Sequence, residues 1–350
     1  MLASAGLILG LAFQPSFFAP EIHGDQSVTF TLTAPAAQIV SVRGDWMAGP
    51  KGLAITRQTG GVWTLTTAPL PAGVYLYCFW VDGLRAADPL NRRVKNGYPG
   101  LSSFFEVAPA PPAARGVTHV HFYTDKHTGR QRRAHVHTPP SFRRDGARLP
   151  VLYLLHGSSD SDRDWLELGG AGEILDRLIA DGRAVPMVLA MPDGHPYPSL
   201  DVSTRAANLA ELGADLTDTL MPLLEREYRV ASAPKHRAIA GLSMGGAQAI
   251  HFGVAYPTLF GLAGGFSAPS DIPFGSTLLD ALRLGPRVRK RPRFWLACGI
   301  DDPLLAEARR VHAELTSSGI ASEWHETGGA HDWATWRGHL AMLAPLLFRR

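Results

Sequence analysis

Three side-chain types that together can carry out nucleophilic catalysis occur in this chain in a fixed order. A serine lies between glycines in "AGLSMGG" (240–246), two carboxylates follow in "CGIDDPLL" (298–305), and a histidine closes the set in "GGAHDW" (328–333). A serine hydroxyl is a weak nucleophile until a neighbouring imidazole takes its proton, and the imidazole needs a carboxylate to hold its tautomer. The stretch "HRAIAGLS" (236–243) reads as a short buried strand, and "MGGAQAIHFGVAY" (244–256) has apolar and small residues at helical spacing. A strand that turns directly into a helix at G-x-S-x-G forms a nucleophile elbow, because the glycines permit the sharp backbone that exposes the hydroxyl. Ser243 is therefore the candidate nucleophile and His331 the candidate base. Asp301 and Asp302 are adjacent, so their side chains point in opposite directions from an extended segment and only one can serve His331.

The developing oxyanion needs backbone donors. The N–H of Met244, next to the nucleophile at a helix start, is one candidate, and Gly157 or Ser158 after the run "VLYLLHG" (151–157) supplies the second. His156 is expected to brace that loop. Trp165 and Trp333 are expected to stack on an acyl group or a sugar. Trp336 lies one helical turn from Trp333, so at least one of that pair should pack in the core.

The elements that would position these residues fall into two units. Residues 25–107 carry short β-rich segments punctuated by Gly, Pro and Asp-Gly, such as "SVTFTLTAP" and "GVYLYCFWVDG", which predict a small all-β, immunoglobulin-like sandwich. A Pro/Ala linker, "APAPPAARG" (108–116), follows. From 117 to 350 strands and helices alternate, which predicts helices on both faces of a mostly parallel sheet. Strands are expected at 117–124, 132–138, 151–157, 186–194, before Ser243, at 262–268, 293–299 and 322–328, with a helix over 208–228. An elbow followed by an acid loop and then a histidine loop is the chain order of an α/β-hydrolase.

Composition narrows the function further. The 350 residues are 45% hydrophobic and 19% charged with a net charge of +3, too little field to predict a nucleic-acid partner. The basic clusters "RQRRAHVH" (130–137) and "RVRKRPR" (287–293) are expected to be solvated. Two cysteines, Cys78 and Cys298, make no disulfide framework. The paired "HVH" motifs at 119–121 and 135–137 could each present two imidazoles on one strand face, but no Cys or carboxylate is spaced to complete a zinc site. No metal and no cofactor is expected. No apolar run is long enough to cross a membrane. Residues 1–24 open with "MLASAGLILGLAFQ", which resembles the apolar centre of a secretory signal and leans toward a secreted or periplasmic bacterial location.

At this point the chain resembles a known group, the enterochelin-esterase-like and feruloyl-esterase-like α/β-hydrolases, whose core is also similar to S-formylglutathione hydrolase and the mycolyltransferases. The matching stretches run from "VHTPPSF" (136–142) through "YLLHGSSDSDRDW" (153–165), "ILDRLIADGRAVPMVLAMPDGH" (174–195) and "RAIAGLSMGGAQA" (237–249) to "CGIDD" (298–302) and "TGGAHDWATWRGHL" (327–340). The resemblance implies hydrolysis of a small or carbohydrate-linked ester, of hydroxycinnamoyl, acetyl or siderophore type, through an acyl-enzyme. It places the acid on Asp302, three residues after the glycine of the C-G-x-x-D signature. An acyltransferase on the same core, or a non-catalytic carbohydrate-binding protein, are the alternatives. The first unit is similar to E-set and glycogen-binding-like modules, which implies weak glycan binding, but Leu84 and Arg85 stand where glycan-binding relatives carry an aromatic platform. Trp63 and Trp80 read as core, leaving Trp46 as the one platform candidate. Oligomeric state is left open.

Overall fold

The structure is a computed structural model that describes residues 19–47, 52–96, 100–109, 112–197, 205–270 and 291–349. The signal-like stretch over 1–18, part of the linker and most of the second basic cluster lie outside these residues. The chain divides into two compact units, Met1–Pro109 and Ala110–Arg350.

The first unit carries two sheets and one 3-10 turn, Thr59–Gly61, among its described residues. One sheet of four strands contains Val28–Thr33 and Val62–Thr66, and one of six contains Val40–Gly44, Gly73–Val81 and Ser102–Val107. Strand alternation puts Val28, Phe30 and Leu32 inward, where they share a core with Val42, Tyr77, Phe79 and Phe105 of the other sheet. Trp63 is buried with its indole N–H on the Ala34 carbonyl. Trp46, the platform candidate, is partly buried: its ring stacks on Phe30 at 5.6 Å and makes perpendicular contacts with Tyr75 and Phe105.

The second unit is built on one sheet of eight strands. In chain order these are β1 (Val117–Thr124), β2 (Gln131–Thr138), β3 (Val151–Leu155), β4 (Val188–Pro192), β5 (Arg237–Leu242), β6 (Leu262–Phe266), β7 (Arg293–Gly299) and β8 (Ser322–Thr327). Their spatial order is β1-β2-β4-β3-β5-β6-β7-β8. The expected opening hairpin, β1 with β2, is antiparallel, as is β2 with β4, and every later pairing is parallel. Every residue of β3 to β6 is buried, because helices cover both faces.

The helices are α1 (Asp164–Glu167), α2 (Ala171–Ala180), α3 (Arg205–Ala214), α4 (Met221–Glu227), α5 (Met244–Ala255), α6 (Leu305–Ser317) and α7 (Trp333–Leu343). The single helix expected over 208–228 instead contains a π-helical stretch, Asp215–Leu220, between α3 and α4. Asp215, fully buried there, lies 3.3 Å from the Arg132 guanidinium and accepts from the Tyr123 hydroxyl at 2.8 Å. The first basic cluster is thus not simply a solvated face. Arg132 is buried on Asp215, and Arg133 forms a two-pronged bond to Asp162. The histidines of β2 are also buried: His135 lies 3.0 Å from Asp162 and His137 3.0 Å from Asp176. Register explains why the two motifs do not combine. His119 and His121 stand opposite Val136 and Ala134, so they share the face that His135 and His137 do not.

Close backbone contact fixes where β5 gives way to α5. A Cβ on Gly245 would lie 2.4 Å from the His156 carbonyl oxygen, and one on Gly241 would lie 2.5 Å from the Gly245 backbone. Gly245→Ala should therefore destabilise the fold by about 2–3 kcal/mol, the range for overpacking a tight contact. Gly338→Ala, on α7 where an added Cβ meets nothing, should stabilise by about 0.8–1 kcal/mol. Urea unfolding of the two variants beside the parent chain tests the contrast; equal midpoints would contradict it.

Candidate active site

The parallel strands end on one side of the sheet, and the loops there carry the expected residues, as open α/β sheets require of a ligand site. Ser243 follows β5 with φ 50° and ψ −119°, a left-handed conformation that costs a non-glycine residue roughly 1–3 kcal/mol. Packing holds it. Its N–H donates to the Phe266 carbonyl at 2.8 Å and its own carbonyl accepts from Ala247 at 3.0 Å, tying the turn to β6 and α5. Ser243 is partly exposed while its neighbours Leu242 and Gly245 are buried.

The structure brings His331 and Asp302 together. Both carboxylate oxygens of Asp302 face His331 Nδ1, at 3.0 and 3.1 Å, and Oδ1 also accepts the Leu304 N–H at 2.8 Å. The Asp302 side chain is fully buried and that of His331 is 28% exposed. Burial pushes the Asp302 pKa up, but hydrogen bonds from His331, Ser267 and Leu304 outweigh it and hold the carboxyl below the ordinary aspartate value. An ionised carboxylate only accepts, so Nδ1 of His331 carries the proton and Nε2 is left as the base. Asp301 takes no part in this contact. It is exposed, and its N–H donates to the Gly329 carbonyl at 3.0 Å.

The oxyanion loop needs one correction. Met244 opens α5, where the first N–H groups have no intrahelical carbonyl to bond, so it stays a donor. Gly157 borders the nucleophile, since a Cβ on it would lie 3.6 Å from Ser243 Cβ, yet its N–H donates to the Asp160 carboxylate at 2.9 Å. Asp160 competes for the donor assigned to Gly157. Ser158 is exposed one residue later, and its carbonyl accepts from His195 at 3.0 Å. His156 braces the loop: its Nε2 accepts the Gly194 N–H at 2.8 Å, which leaves Nδ1 to donate to the Gly157 carbonyl at 2.8 Å.

The tryptophans expected to touch substrate are buried. Trp165 is 1% exposed, with its indole N–H on the Leu155 carbonyl, and Trp333 is 4% exposed and edge-on to Trp165 at 5.3 Å. Both faces are filled by protein, so neither offers a stacking surface. Trp336 packs perpendicular to His331 at 4.8 Å and donates to Ser267 Oγ at 3.0 Å. Sequence reasoning passed over Ser267 and His195, whose partners lie on other segments, and Asp160, whose partner Gly157 lies in its own turn. A cavity of about 550 Å³ also opens at the amino ends of β5 to β7, beside Lys235 and Arg237, away from the loops that carry these residues. Among the described residues no cluster of three or more His, Cys, Asp or Glu is placed to hold a metal.

The Esterase family model, described as "Putative esterase", matches residues 126–346, more than half of the chain. An endo-1,4-beta-xylanase/feruloyl esterase of Xylanibacter ruminicola is 28% identical over 96% of this chain and 47% of its own length, so the chain spans about half of that relative. A ferulic acid esterase structure, 25% identical, superposes with a TM-score of 0.57 over 67% of this chain and 97% of the other. The enterobactin esterase of Shigella flexneri, 22% identical, superposes at 0.68 over 92% of both chains and shows the fold alone. The chain belongs to the Esterase family and has an α/β-hydrolase fold.

Proposed function

We propose that this chain is a serine esterase that cleaves hydroxycinnamoyl esters of carbohydrates through an acyl-enzyme, with Ser243, His331 and Asp302 as its triad. The observation that carries the reading is the His331 ring held by a buried, ionised Asp302 in the same strand-end loops as the strained serine elbow. The relative that matches nearly the whole chain, a xylanase/feruloyl esterase, supports the choice of acyl group and of a polysaccharide-derived alcohol. We also assign the first unit to the immunoglobulin-like sandwiches, on its two sheets and shared aromatic core.

In this reaction His331 Nε2 takes the Ser243 proton as Oγ bonds to the ester carbon. The negative oxygen of the tetrahedral intermediate is met by the N–H groups of Met244 and Ser158. His331 then gives its proton to the departing alcohol, leaving the acyl group on Ser243. A water, deprotonated by the same nitrogen, attacks the acyl carbon and frees the acid and the serine. Asp302 holds the imidazole by Nδ1–H and stabilises the imidazolium in both halves.

A fluorophosphonate should label Ser243 stoichiometrically, and Ser243→Ala should abolish turnover of methyl ferulate and feruloylated arabinoxylan fragments without changing the melting curve. Labelling elsewhere with Ser243→Ala still active sinks the mechanism, while turnover of acetyl or siderophore esters alone replaces the substrate.

The two aspartates should separate sharply. Asp302→Asn should lower kcat by about 10⁴, the loss known for the same change in a serine protease, because the amide favours the wrong imidazole tautomer. Asp301→Asn, exposed and bonded through its backbone, should stay within about threefold of the parent, a surface substitution's usual range. The reverse ranking in folded variants contradicts the assignment.

The pH profile follows from the same contacts. A base must be unprotonated, so kcat/KM should rise with pH as the histidine loses its proton. Asp302, held below the ordinary aspartate range, is already ionised there. One ionisation should therefore describe the acid limb, and a two-proton slope would contradict the scheme.

A further inference from the structure

Gln248 lies on α5 one turn beyond Met244, on the same side of the helix, and is fully buried. Its amide nitrogen donates to the Gly194 carbonyl at 3.2 Å. Gly194, two residues after β4, is buried as well, and a Cβ on it would lie 3.3 Å from Gln248 Oε1 and 3.5 Å from both His156 Nε2 and Met244 Cε. Three side chains thus close on one glycine. A backbone N–H can only donate, so the Gly194 N–H, 2.8 Å from His156 Nε2, makes that nitrogen the acceptor and puts the ring proton on Nδ1. Nδ1 lies 2.8 Å from the Gly157 carbonyl, which also accepts the Asp160 N–H at 3.2 Å. The Gly157–Ser158 peptide is trans, so its C=O and its N–H point in opposite directions within one plane. Holding the Gly157 oxygen on the buried imidazole therefore turns the Ser158 N–H away from it.

We propose that Gln248 is a positioning residue of the oxyanion hole: through Gly194 and the His156 ring it sets the peptide plane that presents the Ser158 N–H. The inference rests on the proposed triad and on Ser158 as the second donor, and adds to them a buried amide that never touches the substrate. Donors stabilise an oxyanion only while they are held in place before it forms. Here the two belong to loops after different strands, Ser158 after β3 and Met244 after β5. The bonds Gln248 to Gly194, Gly194 to His156 and His156 to Gly157 strap one loop to the helix that starts at the other. Packing alone does not explain the residue. Among the described residues Gln248 Oε1 has no hydrogen-bond partner, an unfavourable state for a buried amide that an apolar side chain of the same length would avoid.

The test uses the whole chain, with methyl ferulate for turnover and a fluorophosphonate for the rate of Ser243 labelling. The phosphonyl oxygen needs the same donors as the oxyanion, so the second readout does not depend on the acyl group. Gln248→Met keeps the side chain's length and removes the amide. It should lower kcat and the labelling rate about fivefold to tenfold each, the loss of one hydrogen bond, with KM within about twofold. The midpoint of the acid limb should not move, because no contact of His331 or Asp302 changes. In a His156→Ala background the strap is already cut, so adding Gln248→Met should lower activity no further. Should Gln248→Met not fold, Gly194→Ala stands in: its methyl presses on the Gln248 amide and should lower both rates with the midpoint unmoved. Unchanged rates in the folded variant, a shifted midpoint, or a Gln248→Met loss that persists in full beside His156→Ala overturns the Gln248 role. Ser158→Pro removes the N–H itself and separates the two readings. A fall in kcat of about 10²–10³ supports Ser158 as donor, and parent activity in the folded variant overturns it together with the Gln248 role. Full activity in Ser243→Ala overturns the triad and both.

Discussion

A carboxylate removed from water must be met by donors or it takes up a proton, and the side chain of Asp302 is fully buried. Much of the catalytic end of the second unit can be read as the answer to that requirement. The Leu304 amide comes from the turn that starts α6 and the His331 ring from the loop before α7. Trp336, from the first turn of α7, packs perpendicular to that ring. Two loops that are distant in sequence are thereby held in register by one negative charge. Because the charge is satisfied before any substrate arrives, the imidazole is already in the tautomer that a base needs.

The proposed nucleophile is held by a different kind of force. No charge fixes Ser243; it is placed by the refusal of backbone atoms to overlap, with Gly241 and Gly245 stripped of side chains so that α5 can start against the end of β3. Steric exclusion and charge compensation act on separate elements. The Phe266 carbonyl at the end of β6 receives the Ser243 amide.

The sequence made the order of strands legible because hydrophobic runs, turn residues and the two periodicities are local properties. The elbow was legible for the same reason: the requirement for glycine on either side of Ser243 is written within five residues. Choosing Asp302 over Asp301 needed the C-G-x-x-D signature, since alternation shows only that one of the two faces inward. What stayed hidden depends on partners far away in the chain. His135 and His137 looked like a solvent face until Asp162 and Asp176 were seen beside them. Trp165 and Trp333 looked like stacking surfaces because helical spacing shows which residues share a side, not what covers that side. Asp160 carried a local signal that could have been used, since a carboxylate three residues after Gly157 in a Ser-rich turn commonly takes a backbone N–H. Ser267 carried a fainter one, a polar residue closing an apolar strand at the sheet end where the triad gathers.

The packing of three indoles beside the base has an optical consequence. Trp165, Trp333 and Trp336 form a chain of perpendicular contacts at 5.3 and 5.4 Å, close enough for excitation to pass between them, and its last member lies 4.8 Å from the His331 ring. A protonated imidazole accepts an electron from an excited indole far more readily than a neutral one does, so it quenches where the neutral ring leaves emission intact. A charged ring beside that chain of indoles would therefore dim part of the emission of the protein's eight tryptophans.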